Sequence, residues 1–200
     1  MWAAPVVYLP GAGGRSSFWR PVADRLSYRL APIVLGYPGF GDVPPMPTLR
    51  STHDLYESLL QVLPAQFDLV AQSMGGVLAL RIAIEHPERV RRLVIAALSG
   101  GVAMQSLGAV DWRGNFNADP PSAPTWFIED RTDVSDRLGL VRAPTLLLFG
   151  SDDPIAPAAV GAFVQARIPN AALYVVDGSH AFAHEQPEKI AALISSHLTA

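Results

Sequence analysis

Apolar side chains recur along this chain with two different periods. Val6 to Leu9, Leu30 to Leu35, Phe67 to Ala71, Arg92 to Ala97, Thr145 to Phe149 and Leu173 to Val176 form short runs, several of them almost continuously apolar. Such runs predict strands buried on both faces. Between them the spacing changes. Leu55, Leu59, Val62 and Leu63 fall at i, i+4, i+7 and i+8, and Val160, Phe163, Val164 and Ile168 repeat a similar stripe. Each predicts a helix with one buried face. Ile190, Leu193, Ile194 and Leu198 make a C-terminal helix of the same kind, beginning just after Pro187. Gly75 to Glu85 differs, because only Arg81 and Glu85 interrupt its apolar surface. A helix that is apolar all round sits inside a molecule.

Strands alternating with helices predict a parallel sheet covered by helices on both faces. From Ser99 to Leu140 the alternation stops, and Pro120, Pro121, Pro124, Trp112 and Trp126 take its place. A stretch this long without regular pattern in a compact domain is usually functional. No repeat or linker sets it apart, so the chain reads as one domain of residues 1–200 with an insertion at about 99–140.

Composition narrows the possibilities. Half of the 200 residues are apolar and 16% are charged, so a full core can form. A net charge of −3 would be repelled by phosphate backbones, and nucleic acid is not expected as a partner. The absence of cysteine removes disulfides, thiolate nucleophiles and cysteine-ligated zinc together. No apolar run approaches the ~20 residues that span a bilayer. Met1 to Pro5 lacks the basic segment of a signal peptide, so a cytoplasmic location is the default expectation.

Three places can carry chemistry. Ala71-Gln72-Ser73-Met74-Gly75-Gly76 joins a buried strand to the all-apolar helix. A turn this sharp needs small residues two before and two after its centre, which Ala71 and Gly75 supply. It would expose the Ser73 hydroxyl on a strained corner beside a helix N-terminus; the plainer reading is a helix N-cap. Gly150-Ser151-Asp152-Asp153-Pro154 follows another strand, and Asp177-Gly178-Ser179-His180 follows the last. Alone, each is an ordinary polar turn. Together, serine, aspartate and histidine at the carboxyl ends of three parallel strands form the set that a nucleophile, its base and an orienting acid require.

With these residues in view, the chain resembles the α/β-hydrolases, in the group of esterases, lactonases and carbon–carbon bond hydrolases. The segment around Ser73 resembles the family's nucleophile elbow, Leu9-Pro10-Gly11-Ala12-Gly13-Gly14 its oxyanion loop, and Gly36-Tyr37-Pro38-Gly39-Phe40-Gly41 its glycine-rich turn. Gly178-Ser179-His180 resembles the histidine loop, and Asp153, three after Gly150 and four before Pro157, matches the acid position better than Asp152. The resemblance implies an α/β-hydrolase fold of about six mainly parallel strands with a short cap insertion. It implies Ser73, Asp153 and His180 as catalytic residues and the N–H groups of Ala12 and Met74 as the oxyanion hole. Trp19, Tyr37, Trp112 and Trp126 are the expected substrate contacts, with Phe18 and Trp19 either lining an acyl pocket or packing the first helix. The insertion's aromatic residues are either a cap over the site or a minor core of their own. Three departures stand out. The chain begins directly at the strand before the oxyanion loop, without the two preceding strands common in the family, which predicts a sheet of six strands. Ala71 replaces the usual elbow glycine. Pro10 occupies a position where the family often has histidine, so the hydrogen bonding that orients this loop is expected to differ.

The implied reaction is hydrolysis of a small carboxylic ester, lactone or thioester, with no metal or cofactor and no obligatory protein partner. A cofactor-free lyase or a perhydrolase using the same three residues is the alternative. A dinucleotide-binding reading of Gly11 to Ser16 fails because the third glycine falls on Ser16 and no acid ends the next strand.

Overall fold

The computed structural model describes residues 4–27, 30–41, 43–117 and 121–200. The readings of Met1 to Ala3 and of Pro120 lie outside the described residues. Strands β1 (Val6–Leu9), β2 (Ile33–Val34), β3 (Phe67–Gln72), β4 (Val90–Ala96), β5 (Thr145–Gly150) and β6 (Ala171–Val176) form one sheet in the order β2-β1-β3-β4-β5-β6. Every pairing is parallel.

The expected strands are all present, β1 with the ends expected and the others with different ones. β2 is reduced to two residues, since Pro32 immediately before it brings no N–H to a ladder. β4 and β6 each begin two residues earlier than the apolar runs suggested, because backbone pairing continues through the polar Arg91 and the small Ala171 and Ala172. β3, β4 and β5 form the buried centre of the sheet, β3 and β5 being buried at every position.

Helices α1 (Arg20–Ala23), α2 (Thr52–Val62), α3 (Met74–Glu85), α4 (Ala158–Gln165), α5 (Phe182–Glu185) and α6 (Pro187–Thr199) follow. Local chemistry sets their ends. Ser51 caps α2 by accepting the Asp54 N–H at 3.1 Å, and α2 stops where Leu63 is driven extended by Pro64. Pro187 occupies the first position of α6, where its missing N–H costs nothing. α4 stops at Gln165, short of the Ile168 that its apolar stripe reached, and the chain turns there. Right-handed crossovers put α1 on one face of the sheet, where α6 packs against it, and α2 to α4 on the other. The Tyr56 hydroxyl ties α2 to α3 by donating to Glu85 at 2.6 Å.

The strand order reverses beside β1, which pairs with β2 on one side and β3 on the other. The crevice above the carboxyl ends of β1 and β3 is therefore the switch point where open α/β sheets place ligands. Among the described residues of 99–140, short 3-10 segments at Met104–Leu107, Arg113–Asn115 and Trp126–Glu129 and a longer one at Ser135–Leu140 replace regular helices, with a bridge between Gly101 and Asp133. Trp112 and Phe116 line the crevice at that edge, whereas Ser135–Leu140 packs on α3 and its Arg137 pairs with Glu85, at the end of α3 away from the edge.

Candidate active site

Ser73 sits between β3 and α3 with φ 54° and ψ −121°, a conformation that L residues rarely adopt. Such strain costs on the order of 1–3 kcal/mol and persists only where the surroundings enforce it. Here the Ser73 N–H is fixed to the Ala96 carbonyl at 3.0 Å, and all the residues from Leu69 to Ala79 are buried. The Ser73 side chain makes no capping bond to α3, which disposes of the N-cap reading.

The hydroxyl instead faces His180. His180 Nε2 lies 3.1 Å from Ser73 Oγ, and His180 Nδ1 lies 2.7 Å from Asp153 Oδ2. Asp153 is itself pinned, because its other oxygen accepts the N–H groups of Ile155 at 2.9 Å and Ala156 at 3.0 Å. The carboxylate is buried, whereas the imidazole stays partly open to solvent. Asp152, one residue earlier, is exposed and turned toward Ser151 Oγ at 3.2 Å. His184 points elsewhere: its Nδ1 is 3.0 Å from the Phe18 carbonyl and its ring stacks on Phe18. The structure thus brings together Ser73, Asp153 and His180 and leaves the two neighbours out.

A cleft of about 550 Å³ opens over Ser73 and His180, with Ala12, Gly13 and Gln72 at its base and Phe18, Trp112, Phe116 and Ile155 on its walls. Of the four aromatic residues expected against substrate, only Trp112 lines it. Trp19 is fully buried, with Nε1 donating to the Leu9 carbonyl at 2.9 Å, so of the adjacent pair Phe18 faces the cleft and Trp19 faces the core. Tyr37 is equally buried, its hydroxyl donating to the Pro10 carbonyl at 2.8 Å. Trp126 packs edge-on against Phe40 and lines a different hollow with Arg50 and Arg81. The insertion is both minor core and wall, since Trp112, Phe116 and Phe127 form a ring cluster with centroids 5.1 to 6.2 Å apart, and Trp112 and Phe116 also face the cleft. Gln72 went unnoticed in the sequence. It is buried, its amide approaches the His180 carbonyl at 3.5 Å, and its Oε1 fills the space where a Gly11 side chain would be.

The requirement for glycine at position 75 also has a different origin from the one expected. A Cβ there would lie 2.3 Å from the Pro10 carbonyl oxygen, so the collision is with the loop after β1 rather than across the serine turn itself.

A strained serine on a strand-to-helix corner, hydrogen-bonded to a histidine that is hydrogen-bonded to a buried aspartate, is set in a six-stranded parallel sheet. Residues 6–131 match the alpha/beta hydrolase family, and the chain belongs to it. Among curated proteins it is 28% identical to a pimeloyl-[acyl-carrier protein] methyl ester esterase of Legionella pneumophila, over 83% of this chain and 82% of that protein. It is 26% identical to a poly(3-hydroxyalkanoate) depolymerase of Ectopseudomonas oleovorans, over 97% of this chain and 84% of that one. Among solved structures, the enol-lactonase from Burkholderia xenovorans LB400 superposes with a TM-score of 0.80 at 18% identity, covering 98% of this chain and 92% of the other. That likeness is one of fold. Among the described residues no helix is long and apolar enough to cross a membrane.

Proposed function

We propose that the protein hydrolyses small carboxylic esters, lactones or thioesters through an acyl-enzyme on Ser73. The observation that carries this reading is the continuous chain Ser73 Oγ, His180, Asp153, at 3.1 Å and 2.7 Å. In that chain His180 Nε2 takes the hydroxyl proton as Ser73 Oγ attacks the acyl carbon, and Asp153 holds the Nδ1–H tautomer and stabilises the imidazolium. The tetrahedral oxyanion lies between the N–H groups of Ala12 and Met74. Met74 is the first residue of α3, so its N–H has no partner within the helix and the dipole of α3 favours the negative charge. Each such donor is worth on the order of 3 kcal/mol to the transition state. His180 then protonates the leaving alcohol, a water attacks the acyl carbon with His180 as base, and the acid departs. The cleft's modest size and mainly apolar walls favour short or medium uncharged acyl groups. The names of the relatives, a methyl ester esterase and a poly(3-hydroxyalkanoate) depolymerase, support ester cleavage.

The test is turnover of p-nitrophenyl butyrate by the wild type and by Ser73→Ala, together with mapping of a fluorophosphonate label. Loss of the serine should reduce turnover by about a millionfold, with the label on Ser73 alone. Retention of more than a few per cent of activity in Ser73→Ala, or a label elsewhere, would remove Ser73 from the reaction.

A further inference from the structure

Beyond β1 the chain leaves the sheet, and the loop from Pro10 to Gly14 carries the Ala12 N–H with no strand ladder to aim it. Residue 37 holds both ends of this loop. The Tyr37 hydroxyl donates to the Pro10 carbonyl at 2.8 Å, and the Tyr37 N–H donates to the Gly14 carbonyl, also at 2.8 Å. Trp19 Nε1 adds a third bond, to Leu9 at 2.9 Å. Both aromatic side chains are fully buried, so water does not compete for these carbonyls. Burial also pushes the Tyr37 hydroxyl far above the ordinary phenol range, which keeps its proton available to donate.

The same carbonyl meets the helix that carries Met74. A Cβ on Gly75 would fall 2.3 Å from Pro10 O and 3.1 Å from Tyr37 Oη, so the first turn of α3 packs directly on the hydrogen-bonded pair. The loop of Ala12 and the helix of Met74 thus touch at one point, and Tyr37 fixes one side of it. Proline at position 10 offers only its carbonyl for such anchoring.

We infer that Tyr37 is a positioning residue. Its hydroxyl sets the spacing between the Ala12 and Met74 N–H groups, and Trp19 supports the loop from one residue further back. This role rests on the hydrolase reading above and deepens it. Oxyanion donors act only when aimed at the position the developing charge will occupy, and loss of one outright costs about 10²- to 10³-fold in turnover. A donor left in place but misdirected costs part of that.

Tyr37→Phe removes one oxygen and keeps the ring. At temperatures where the variant is fully folded by circular dichroism, kcat on p-nitrophenyl butyrate should fall by about tenfold or more with KM nearly unchanged. Affinity for a trifluoromethyl ketone, which forms an oxyanion on the serine, should fall by a similar factor. The pH profile should not move, because His180 and Asp153 are untouched. Amide exchange at Gly11 to Gly14 should quicken. Trp19→Phe should give the same pattern at smaller size. A Tyr37→Phe protein that melts earlier yet keeps wild-type kcat and inhibitor affinity while folded would make Tyr37 merely structural and overturn the proposal. A wild type inert to esters and to fluorophosphonate would instead overturn the hydrolase reading, taking the catalytic role of the clamp with it.

Discussion

The carboxyl edge of the sheet and the segment from residue 99 to 140 meet at the same cleft, but they are built differently. On the sheet side, each candidate site group is over-determined: Ser73 by its strained turn, Asp153 by two backbone N–H groups, and the loop of Ala12 by Tyr37 and Trp19. On the other side, among the described residues, short 3-10 segments, a β-bridge between Gly101 and Asp133 and local hydrogen bonds accepted by the side chains of Asp111, Asp130 and Asp133 hold the aromatic rings in place. The Trp112 ring is held there by Nε1 donating to Ser99 Oγ at 3.0 Å, by the Arg113 guanidinium over its face and by contacts with Phe116 and Phe127. The contrast teaches a division of labour. Under the proposed reaction, the geometry that the chemistry needs is placed on ladders and buried donors, whereas the wall that faces the cleft from the insertion is placed on short local structure.

The largest expected effect sharpens the sheet side. His180→Ala and Asp153→Asn should each lower turnover by roughly 10⁴-fold or more, since the members of such a unit act together. His184→Ala and Asp152→Asn, which sit beside them without joining the chain, should stay within a few-fold of wild type. Steady-state kinetics on p-nitrophenyl butyrate decides it, and a reversed ranking would move the base or the acid to the neighbouring residue.

The next effect concerns stability. Leu147 is wholly buried in β5, and Leu147→Ala should cost about 2–5 kcal/mol of unfolding free energy. Phe116→Ala, in a partly exposed ring of the insertion, should cost less. Equal losses in urea unfolding would contradict the idea that the insertion is the lightly built side.

Trp112 also forms the partition between the cleft and a hollow of about 170 Å³ that reaches Met74, Val77, Val102 and Met104. Trp112→Ala should join the two spaces and shift the preferred p-nitrophenyl ester toward longer acyl chains, by about 1–3 kcal/mol for a methylene that gains contact. Ser99→Ala, which frees the indole without removing it, should move the same way by less. An unchanged chain-length profile in both variants would take the insertion out of substrate selection.

The smallest effect lies at the opposite, amino-terminal end of β3. Asp68 is fully buried, and neither carboxylate oxygen completes a hydrogen bond of normal geometry. Burial raises its pKa, and the nearby charges of Arg91 and Arg92 with the Arg92 N–H offset this only in part. Because the folded form holds its proton more tightly than the unfolded form, stability from this group is complete below the ordinary carboxylate range and declines as pH rises through it. Asp68→Asn should therefore stabilise the protein at pH 7, by about 1 kcal/mol, and give little gain at pH 3. A variant less stable than wild type at pH 7 would mean that the ionised carboxylate is well paired.

Much of this architecture was legible in the chain itself. Nearly continuous apolar runs separated by helical stripes dictate a parallel sheet, because only strands buried on both faces and helices buried on one fit that pattern. The serine, aspartate and histidine could be read because each follows a strand, and strand ends in a parallel sheet share one edge whatever the loops do. The short length of β2 departed from the apolar run, which extends across Pro32, a residue that precedes the two paired positions and brings no N–H to the ladder. Sequence also offered no means of separating Trp19, Tyr37, Trp112 and Trp126, four aromatic residues near glycine or proline turns. Which of them meets solvent depends on partners far away in the chain: Leu9 for Trp19, Pro10 for Tyr37, Ser99 for Trp112 and Phe40 for Trp126. Periodicity reports the face a residue takes within its own element, and only the packing of elements against one another decides which carbonyl or cavity that face meets.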